Sequence, residues 1–294
     1  MALSSHLKRW ITSLVLLPLL IWSLIVGGWA IAAWIVLGAS LGMVEFMGMF
    51  RPGRGHLGWA VLGALIACAI VLIAKLYGLG WSLAALLGGF WIAGLAFLFL
   101  FGLRKDPESS QVATCNPAKA ATPMLLAAGL MYLPGCLQFY VFFSPWEIGF
   151  VLLCVFMSDT GAYYTGSLIG GPKLWPSVSP KKTWAGSLGG LVLCCALALT
   201  YGLIFGHKIW ANPVSGEGLA PWWLWLAFAA PLNIVSQLGD LFVSALKRNL
   251  GVKDSGKMLP GHGGLLDRMD SLIPSAPVFA GLKALYMSAI VTVV

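Results

Sequence analysis

Charged residues are scarce in this chain of 294 residues, because Asp, Glu, Lys and Arg together make up only 10% of it. Soluble domains carry roughly 25% charged residues. A water-soluble enzyme of this length would expose far too much apolar surface, since 59% of its residues are hydrophobic. The composition therefore excludes a soluble α/β enzyme, a secreted disulfide scaffold and a disordered chain, and indicates a multi-pass membrane protein.

Paired cysteines and nucleophilic triads are also missing from the sequence. The six cysteines form no CxxC pair and nearly all lie in apolar runs, so we interpret them as buried free thiols. No Ser-His-Asp or Cys-His arrangement is apparent. The net charge of +8 has no soluble basic face to occupy, so we expect no nucleic-acid partner.

Long apolar runs, separated by Gly, Pro and basic breaks, predict an all-α integral membrane protein with about nine transmembrane helices. The predicted spans are 10–26, 29–50, 57–76, 81–101, 123–142, 146–166, 184–206, 221–248 and 264–290. With the N-terminus inside, 15 of the 18 Lys and Arg residues fall on the inner side. This asymmetry predicts an inside N-terminus and an outside C-terminus.

We divide the chain into two regions. Residues 1–142 form an N-terminal transmembrane region of about five spans, and residues 143–294 form a C-terminal transmembrane region of about four. The basic loops of the second region lie on the cytoplasmic side under the predicted topology, so we expect its functional site on that side.

Polar residues of the eighth span share one helical face. They are Asn233, Ser236, Gln237, Asp240, Ser244 and Lys247, at spacings of 3, 1, 3, 4 and 3. The three uncharged residues Asn233, Ser236 and Gln237 are open to another interpretation, a hydrogen-bonded seam between helices. That interpretation fails for Asp240, because an ionised carboxylate in hydrocarbon needs a cation.

Two more acids, Asp267 and Asp270, begin the last span after a loop rich in Gly, Lys and Pro. Their spacing of three puts them on one helical face, and Asp240 arrives from the preceding helix. The three carboxylates predict a site for a hard cation such as Mg²⁺, or Mn²⁺. Beside a basic loop, such a cation indicates a nucleoside triphosphate. The alternative is that Asp267 and Asp270 cap the helix and pair with Arg268.

This part of the chain resembles the signature of the phosphatidate cytidylyltransferases, also called CDP-diacylglycerol synthases. The matching run is Ser244-Ala-Leu-Lys247-Arg248-x4-Lys253-Asp254-x5-Pro260-Gly261-His262-Gly263-Gly264-x2-Asp267-Arg268-x-Asp270. The resemblance extends to Gln237-Leu-Gly-Asp240, Ser158-Asp-Thr-Gly-Ala-Tyr163 and Ser179-Pro-Lys-Lys-Thr-Trp184. These motifs cover about half of the chain. One departure is Ala185, where the family usually has Glu, which weakens the inference drawn from the Lys181–Gly186 motif.

The resemblance implies that CTP and phosphatidic acid react to give CDP-diacylglycerol and pyrophosphate. It also implies that the reaction requires a divalent cation and that the protein is a homodimer. The expected location is the inner (cytoplasmic) cell membrane, with the active site facing the cytoplasm. We predict that the catalytic residues are Asp240, Lys247, Arg248, Asp267 and Asp270, with Asp240, Asp267 and Asp270 as metal ligands. The predicted substrate-binding residues are Asp159, Lys181, Lys182, Ser244, Lys253, His262, Gly263, Gly264 and Arg268.

Several alternatives stay open from the sequence. One alternative is another CTP-dependent membrane lipid transferase or kinase, of the polyprenol or phytol type, and another is a cation-coupled secondary transporter. His262 either contacts a phosphate or makes a structural hydrogen bond in its turn. Asp254 is either a ligand or a local partner of Lys253, and Asp159 either lines the site or lies at a helix contact.

Overall fold

The computed structural model describes residues 5–50, 57–102, 117–210, 220–259, 261 and 263–293. These residues form long helices and one β-hairpin. The elements are α1 (Ser5–Val26), α2 (Gly28–Phe50), α3 (Leu57–Tyr77), α4 (Leu79–Gly102), α5 (Pro117–Leu137), a 3₁₀ helix (Gln138–Phe142), α6 (Pro145–Ile169), β1 (Lys173–Trp175), β2 (Ser179–Thr183), α7 (Trp184–Ile209), α8 (Trp222–Asn249), α9 (Leu266–Met269) and α10 (Leu272–Val293).

Within the described ranges, eight helices are long and apolar enough to cross a membrane. This confirms the predicted class, an all-α multi-pass membrane protein. The first helix, α1, has a shorter apolar segment. That segment, Leu14–Val26, is too short for a full span. The count of nine spans and the orientation of the termini therefore stay predictions.

The stretch between α6 and α7, predicted as a plain loop over 167–183, contains the hairpin. Strand β1 pairs antiparallel with β2, with Lys173 opposite Thr183 and Trp175 opposite Ser179. The Trp184 amide donates to the Pro172 carbonyl oxygen at 3.1 Å, which closes the hairpin at the start of α7. Thr183 is the N-cap of α7, and its side chain accepts a hydrogen bond from the Gly186 amide at 3.0 Å.

The predicted last span, 264–290, is interrupted between α9 and α10, at Asp270 and Ser271. Pro274 lies four residues after Asp270 and has no amide proton, so it cannot donate the helical hydrogen bond to the Asp270 carbonyl. At this break the Asp270 side chain accepts a hydrogen bond, because the Ser271 amide donates to its Oδ1 at 2.8 Å. The interruption therefore fixes the direction of one candidate carboxylate.

The chain forms two compact units. The unit of residues 31–141 contains α3, α4, α5 and most of α2, and its core is built from fully buried side chains such as Met43, Met47, Leu126 and Leu130. The other unit combines residues 1–30 with residues 142–294 and contains α6, α7, α8 and α10. The predicted assignment of catalysis to residues 143–294 stays a prediction, since compactness does not test where the reaction occurs.

Two glycines allow helices of the second unit to approach at backbone distance. A Cβ on Gly190 of α7 would lie 2.6 Å from the carbonyl oxygen of Ser158 on α6. A Cβ on Gly239 of α8 would overlap the carbonyl oxygen of Asp270 and lie 2.7 Å from Cγ of Pro274. Small residues at helix contacts permit such packing. The contacts bring the Ser158 region of α6 against α7 and the start of α10 against α8.

Candidate functional site

The floor of the site is an uncharged hydrogen-bond network that joins α6, α7 and α8. Asn233 Nδ2 donates to Ser158 Oγ at 2.7 Å, and Gln237 Nε2 donates to Asn233 Oδ1 at 2.9 Å. Ser187 Oγ donates to Gln237 Oε1 at 2.7 Å. Ser158, Asn233 and Gln237 are buried, so these mutual bonds satisfy polar groups that would otherwise be costly to bury. This confirms the interpretation of Asn233, Ser236 and Gln237 as a seam between helices.

Above this floor lies a layer of acids around one lysine. Lys182 Nζ of β2 lies 2.7 Å from Asp240 Oδ2 of α8, and both side chains are partly shielded, with 24% and 32% of their surface exposed. Ser244 Oγ, one helical turn after Asp240, donates to its Oδ1 at 3.1 Å. Asp159 of α6 and Asp270, which is 8% exposed, interact electrostatically with Asp240 and with each other.

Two acids of this layer lie within the lengths of their helices and not at the helix ends. Asp240 lies nine residues before the end of α8, which corresponds to roughly 14 Å along the helix axis. Asp159 lies ten residues before the end of α6, which corresponds to roughly 15 Å. Acidic residues within membrane-spanning helices are functional candidates by default.

A second ion pair lies nearer the helix ends and holds the loop after α8. Lys247 Nζ donates to Asp267 Oδ1 at 2.6 Å, and the two side chains are only 15% and 11% exposed. The other carboxylate oxygen of Asp267 accepts from the Ser255 amide at 2.9 Å. Asp267 thus pairs with Lys247 and ties the loop to α8, in addition to any role in binding a cation.

The same loop closes on itself beside Asp267. Leu259 and Gly263 form an antiparallel bridge, with amide-to-oxygen distances of 3.0 and 3.2 Å. Gly263 has a φ of 86°, a conformation that favours glycine. A Cβ there would lie 3.7 Å from Asp267 and 3.8 Å from Asp254. The Gly-rich motif therefore brings the backbone at Gly263 close to Asp254 and Asp267.

The hairpin places Lys181 and Lys182 on different faces, although the sequence analysis predicted the same substrate-binding role for both. Lys182 faces the acid layer, whereas its neighbour Lys181 is exposed, because successive residues of a strand point to opposite faces. Arg248 Nε also approaches the Val178 carbonyl oxygen at 3.4 Å, so the end of α8 contacts the hairpin turn. Sequence reasoning missed this hairpin, although Gly170, Gly171 and Pro172 mark a turn before β1 and the capping residue Thr183 marks the start of α7.

Most of the other residues that the sequence predicted for the site are exposed. The side chains of Arg248, Lys253, Asp254 and Arg268 are exposed, while Gly264 is buried. His262, predicted to bind substrate, lies outside the described residues, as does Pro260 of the same motif. The structure thus brings Asp159, Lys182, Asp240, Ser244, Lys247, Asp267 and Asp270 into one cluster, and it leaves Lys181 on the opposite face of β2.

Within the described part of the chain, no three His, Cys, Asp or Glu side chains are grouped as a ready metal-binding set. The donor chemistry nevertheless suits a hard cation, because carboxylate oxygens are the ligands that Mg²⁺ prefers. Asp159, Asp240, Asp267 and Asp270 share two ammonium groups, those of Lys182 and Lys247.

The fold and the described contacts together define a multi-pass membrane protein that carries a cluster of acids and lysines. A model of the cytidylyltransferase family matches residues 7–286. The chain therefore belongs to the cytidylyltransferase family. This assignment favours the family that the sequence motifs indicated over the secondary-transporter alternative.

Curated relatives carry a more specific description. A protein of Brucella melitensis named phosphatidate cytidylyltransferase is 33% identical over 266 residues, which cover 88% of this chain and 73% of that protein. Proteins of the same name from Staphylococcus haemolyticus and Staphylococcus aureus are 44% and 42% identical over 129 and 131 residues. Each of these two alignments covers 44% of this chain and 45% of the relative.

Proposed function

We propose that this chain transfers the cytidylyl group of CTP to the phosphate of phosphatidic acid, forming CDP-diacylglycerol and pyrophosphate. The family assignment and the names of the relatives support the reaction class. The observation in the structure that carries the proposal is the cluster of acids and lysines around Asp240, in which Lys182 of the hairpin contacts an acid of a helix long and apolar enough to span the membrane. Such a site suits a reaction between a water-soluble polyanion and a lipid phosphate.

The chemistry needs cations more than it needs a base. An oxygen of the lipid phosphate attacks the α-phosphorus of CTP, the bond from that phosphorus to the bridging oxygen of the β-phosphate breaks, and pyrophosphate leaves. The attacking phosphate is already ionised at neutral pH, so repulsion between anions and charge on the transferred group form the barrier. Lys182 and Lys247 are positioned to offset this charge, while the exposed positive charges of Arg248 and Arg268 attract the incoming anions.

We propose Asp240, Asp267 and Asp270 as the residues that hold Mg²⁺ or Mn²⁺, with Asp159 adding negative charge nearby. When bound, a divalent cation supplies Lewis-acid stabilisation of phosphate oxygens. The protein's own contribution is orientation. The Asp267 carboxylate is fixed by Lys247 and by the Ser255 amide, and the Asp270 carboxylate by the Ser271 amide. These contacts hold the carboxylates in position before substrate arrives, and a cation that binds Oδ1 of Asp267 would have to displace the Lys247 ammonium.

The direct test is product formation by the purified protein in detergent. Labelled CTP with phosphatidic acid and Mg²⁺ should yield CDP-diacylglycerol and an equal amount of pyrophosphate. Diacylglycerol, which lacks the attacking phosphate, is the matched control lipid and should yield no nucleotide-linked product. Product formation from diacylglycerol, or its absence with phosphatidic acid, would contradict the proposal.

We further propose nine spans, an inside N-terminus, an outside C-terminus and a location in the inner (cytoplasmic) cell membrane, with the site facing the cytoplasm. The asymmetry of 15 inner against three outer basic residues supports this orientation. The homodimer implied by the resemblance stays a prediction.

The orientation can be read by thiol labelling of the loop after α8. Ser255 of this loop is buried, so the exposed Lys257 is the better position for a cysteine. In a cysteine-depleted background, a membrane-impermeant maleimide should label Lys257→Cys in inverted membrane vesicles and not in intact cells. Lys208→Cys, exposed at the end of α7, should show the reverse pattern. Labelling of Lys257→Cys from outside intact cells would overturn the orientation.

A further inference from the structure

Two carboxylates that we propose as metal ligands are each engaged by a lysine. Asp240 Oδ2 lies 2.7 Å from Lys182 Nζ, and Asp267 Oδ1 lies 2.6 Å from Lys247 Nζ. An ammonium group at this distance lies where a cation bound to the same oxygen would lie, and its positive charge repels that cation. The lysine and the cation therefore compete for the carboxylate.

The two lysines are held differently. Lys247 donates a well-formed hydrogen bond to Asp267. The Lys182 ammonium is buried, yet it makes no aligned hydrogen bond to any residue in the described ranges, although an ammonium group carries three donors. Its ion pair with Asp240 and the field of Asp159 hold it in place. Lys182 is thus bound by charge, without the directional contacts that would fix it.

We propose that Lys182 is an internal competitor of the divalent cation for Asp240, and that the cation releases its ammonium group to bind a substrate phosphate. This inference rests on the proposed function. Without a cation, the lysine would relieve the repulsion among Asp159, Asp240 and Asp270. With a cation, the freed ammonium would offset phosphate charge within the same cluster. Metal binding and substrate binding would then strengthen each other. The cation frees the Lys182 ammonium for a substrate phosphate, and a bound phosphate keeps that ammonium away from Asp240.

The proposed exchange moves the Lys182 side chain and not its strand. Lys182 precedes Thr183, whose side chain caps α7 and whose residue is buried, so the strand itself is anchored. The lysine side chain has a flexible four-carbon stem, and rotation of that stem is the movement that the exchange requires. Lys181 lies one residue earlier on the other face of β2, which makes it a control of equal charge on the same strand.

Mn²⁺ binding to the purified protein in detergent, without nucleotide or lipid, tests this directly. The free Mn²⁺ signal in electron paramagnetic resonance gives the affinity. Lys182→Met should tighten Mn²⁺ binding by roughly tenfold to a hundredfold, because an ion-paired competitor is removed. Lys181→Met should leave the affinity at the wild-type value. Lys182→Arg keeps the charge and should also bind Mn²⁺ like the wild type.

A measurement on the wild-type protein guards against a variant that fails to fold. Mild acylation of amines, read by mass spectrometry, should modify Lys182 more after Mg²⁺ is added, while modification of Lys181 stays constant.

Unchanged labelling of Lys182, or Mn²⁺ affinity in folded Lys182→Met at or below that of wild type, overturns the competition. If wild type and variants all bind no Mn²⁺ yet form CDP-diacylglycerol, the metal site and the competition both fail while the proposed reaction stands.

Discussion

Asp240→Asn should lower cytidylyl transfer by at least about 100-fold, a loss typical of removing a central electrostatic group from an active site. Asp240 contacts Lys182 and Ser244 and interacts with Asp159 and Asp270. Asparagine keeps the size of the side chain and removes its charge. The structure should survive, because relief of repulsion from the neighbouring acids offsets the lost ion pair. Steady-state kinetics together with thermal unfolding in detergent would measure both effects.

Glu147→Gln is the matched control for this prediction. Glu147 is 2% exposed, its Oε1 lies 2.6 Å from Lys283 Nζ, and its other oxygen accepts from the Ser144 amide in the capping box of α6. It is therefore a buried acid of the same unit that is not in the cluster. Its loss should lower the unfolding temperature and leave kcat per folded molecule unchanged. Wild-type turnover in Asp240→Asn, or equal loss of kcat in both variants, would contradict the assignment of the site.

The second large effect is expected for Lys247→Gln. Lys247 pairs with Asp267 at 2.6 Å in a largely shielded position, near the acids that we place at the reacting phosphates. Its loss should lower kcat and kcat/KM together by roughly tenfold to a hundredfold, since charged hydrogen bonds are worth about 1.5–3 kcal/mol. It should also loosen the loop, because the Asp267 carboxylate would lose its contact with α8 and keep the Ser255 amide.

Hydrogen exchange of residues 250–259 would report the loosening, alongside the kinetics. Lys257→Gln removes the same charge from an exposed position of the same loop and should change neither exchange nor kcat. If Lys247→Gln altered only a KM and left exchange of the loop at the wild-type level, Lys247 would be a peripheral binding residue.

The helices were largely predictable from the sequence, because apolar runs end at residues that stop a helix. The predicted spans 29–50 and 57–76 agree with α2 and α3 to within one residue at either end. Gly27 and Gly78 separate adjacent helices with φ values of 69° and 90°, which side chains rarely adopt. The membrane class followed from composition alone, since the few charges cannot cover a soluble surface.

The arrangement of the site was only partly predictable. The shared face of α8 placed Asn233, Gln237 and Asp240 in line, and the structure confirms the seam formed by the first two. The partner of Asp240 could not be inferred, because Lys182 reaches it from a hairpin formed by tertiary packing. Two strands of three and five residues are too short to leave a clear alternating pattern. For the same reason, the opposite directions of Lys181 and Lys182 were not visible in the sequence.

A CTP-dependent lipid kinase is the alternative that shares the most features with this account, because it also binds CTP beside lipid and a divalent cation. The two reactions differ in the phosphorus atom that is attacked. Cytidylyl transfer attacks the α-phosphorus and sends the β- and γ-phosphates into pyrophosphate. A kinase attacks the γ-phosphorus and releases CDP. The fate of each phosphorus atom therefore separates the two reactions.

The most direct measurement of the central claim follows two labelled forms of CTP into lipid. Purified protein in detergent is incubated with phosphatidic acid, Mg²⁺ and CTP labelled at either the α- or the γ-phosphorus, with the Asp240→Asn variant as the inactive control. The account predicts that the α-label appears in the lipid fraction as CDP-diacylglycerol and that the γ-label appears only in pyrophosphate. Transfer of the γ-label to lipid, or of neither label by the active protein, would contradict it.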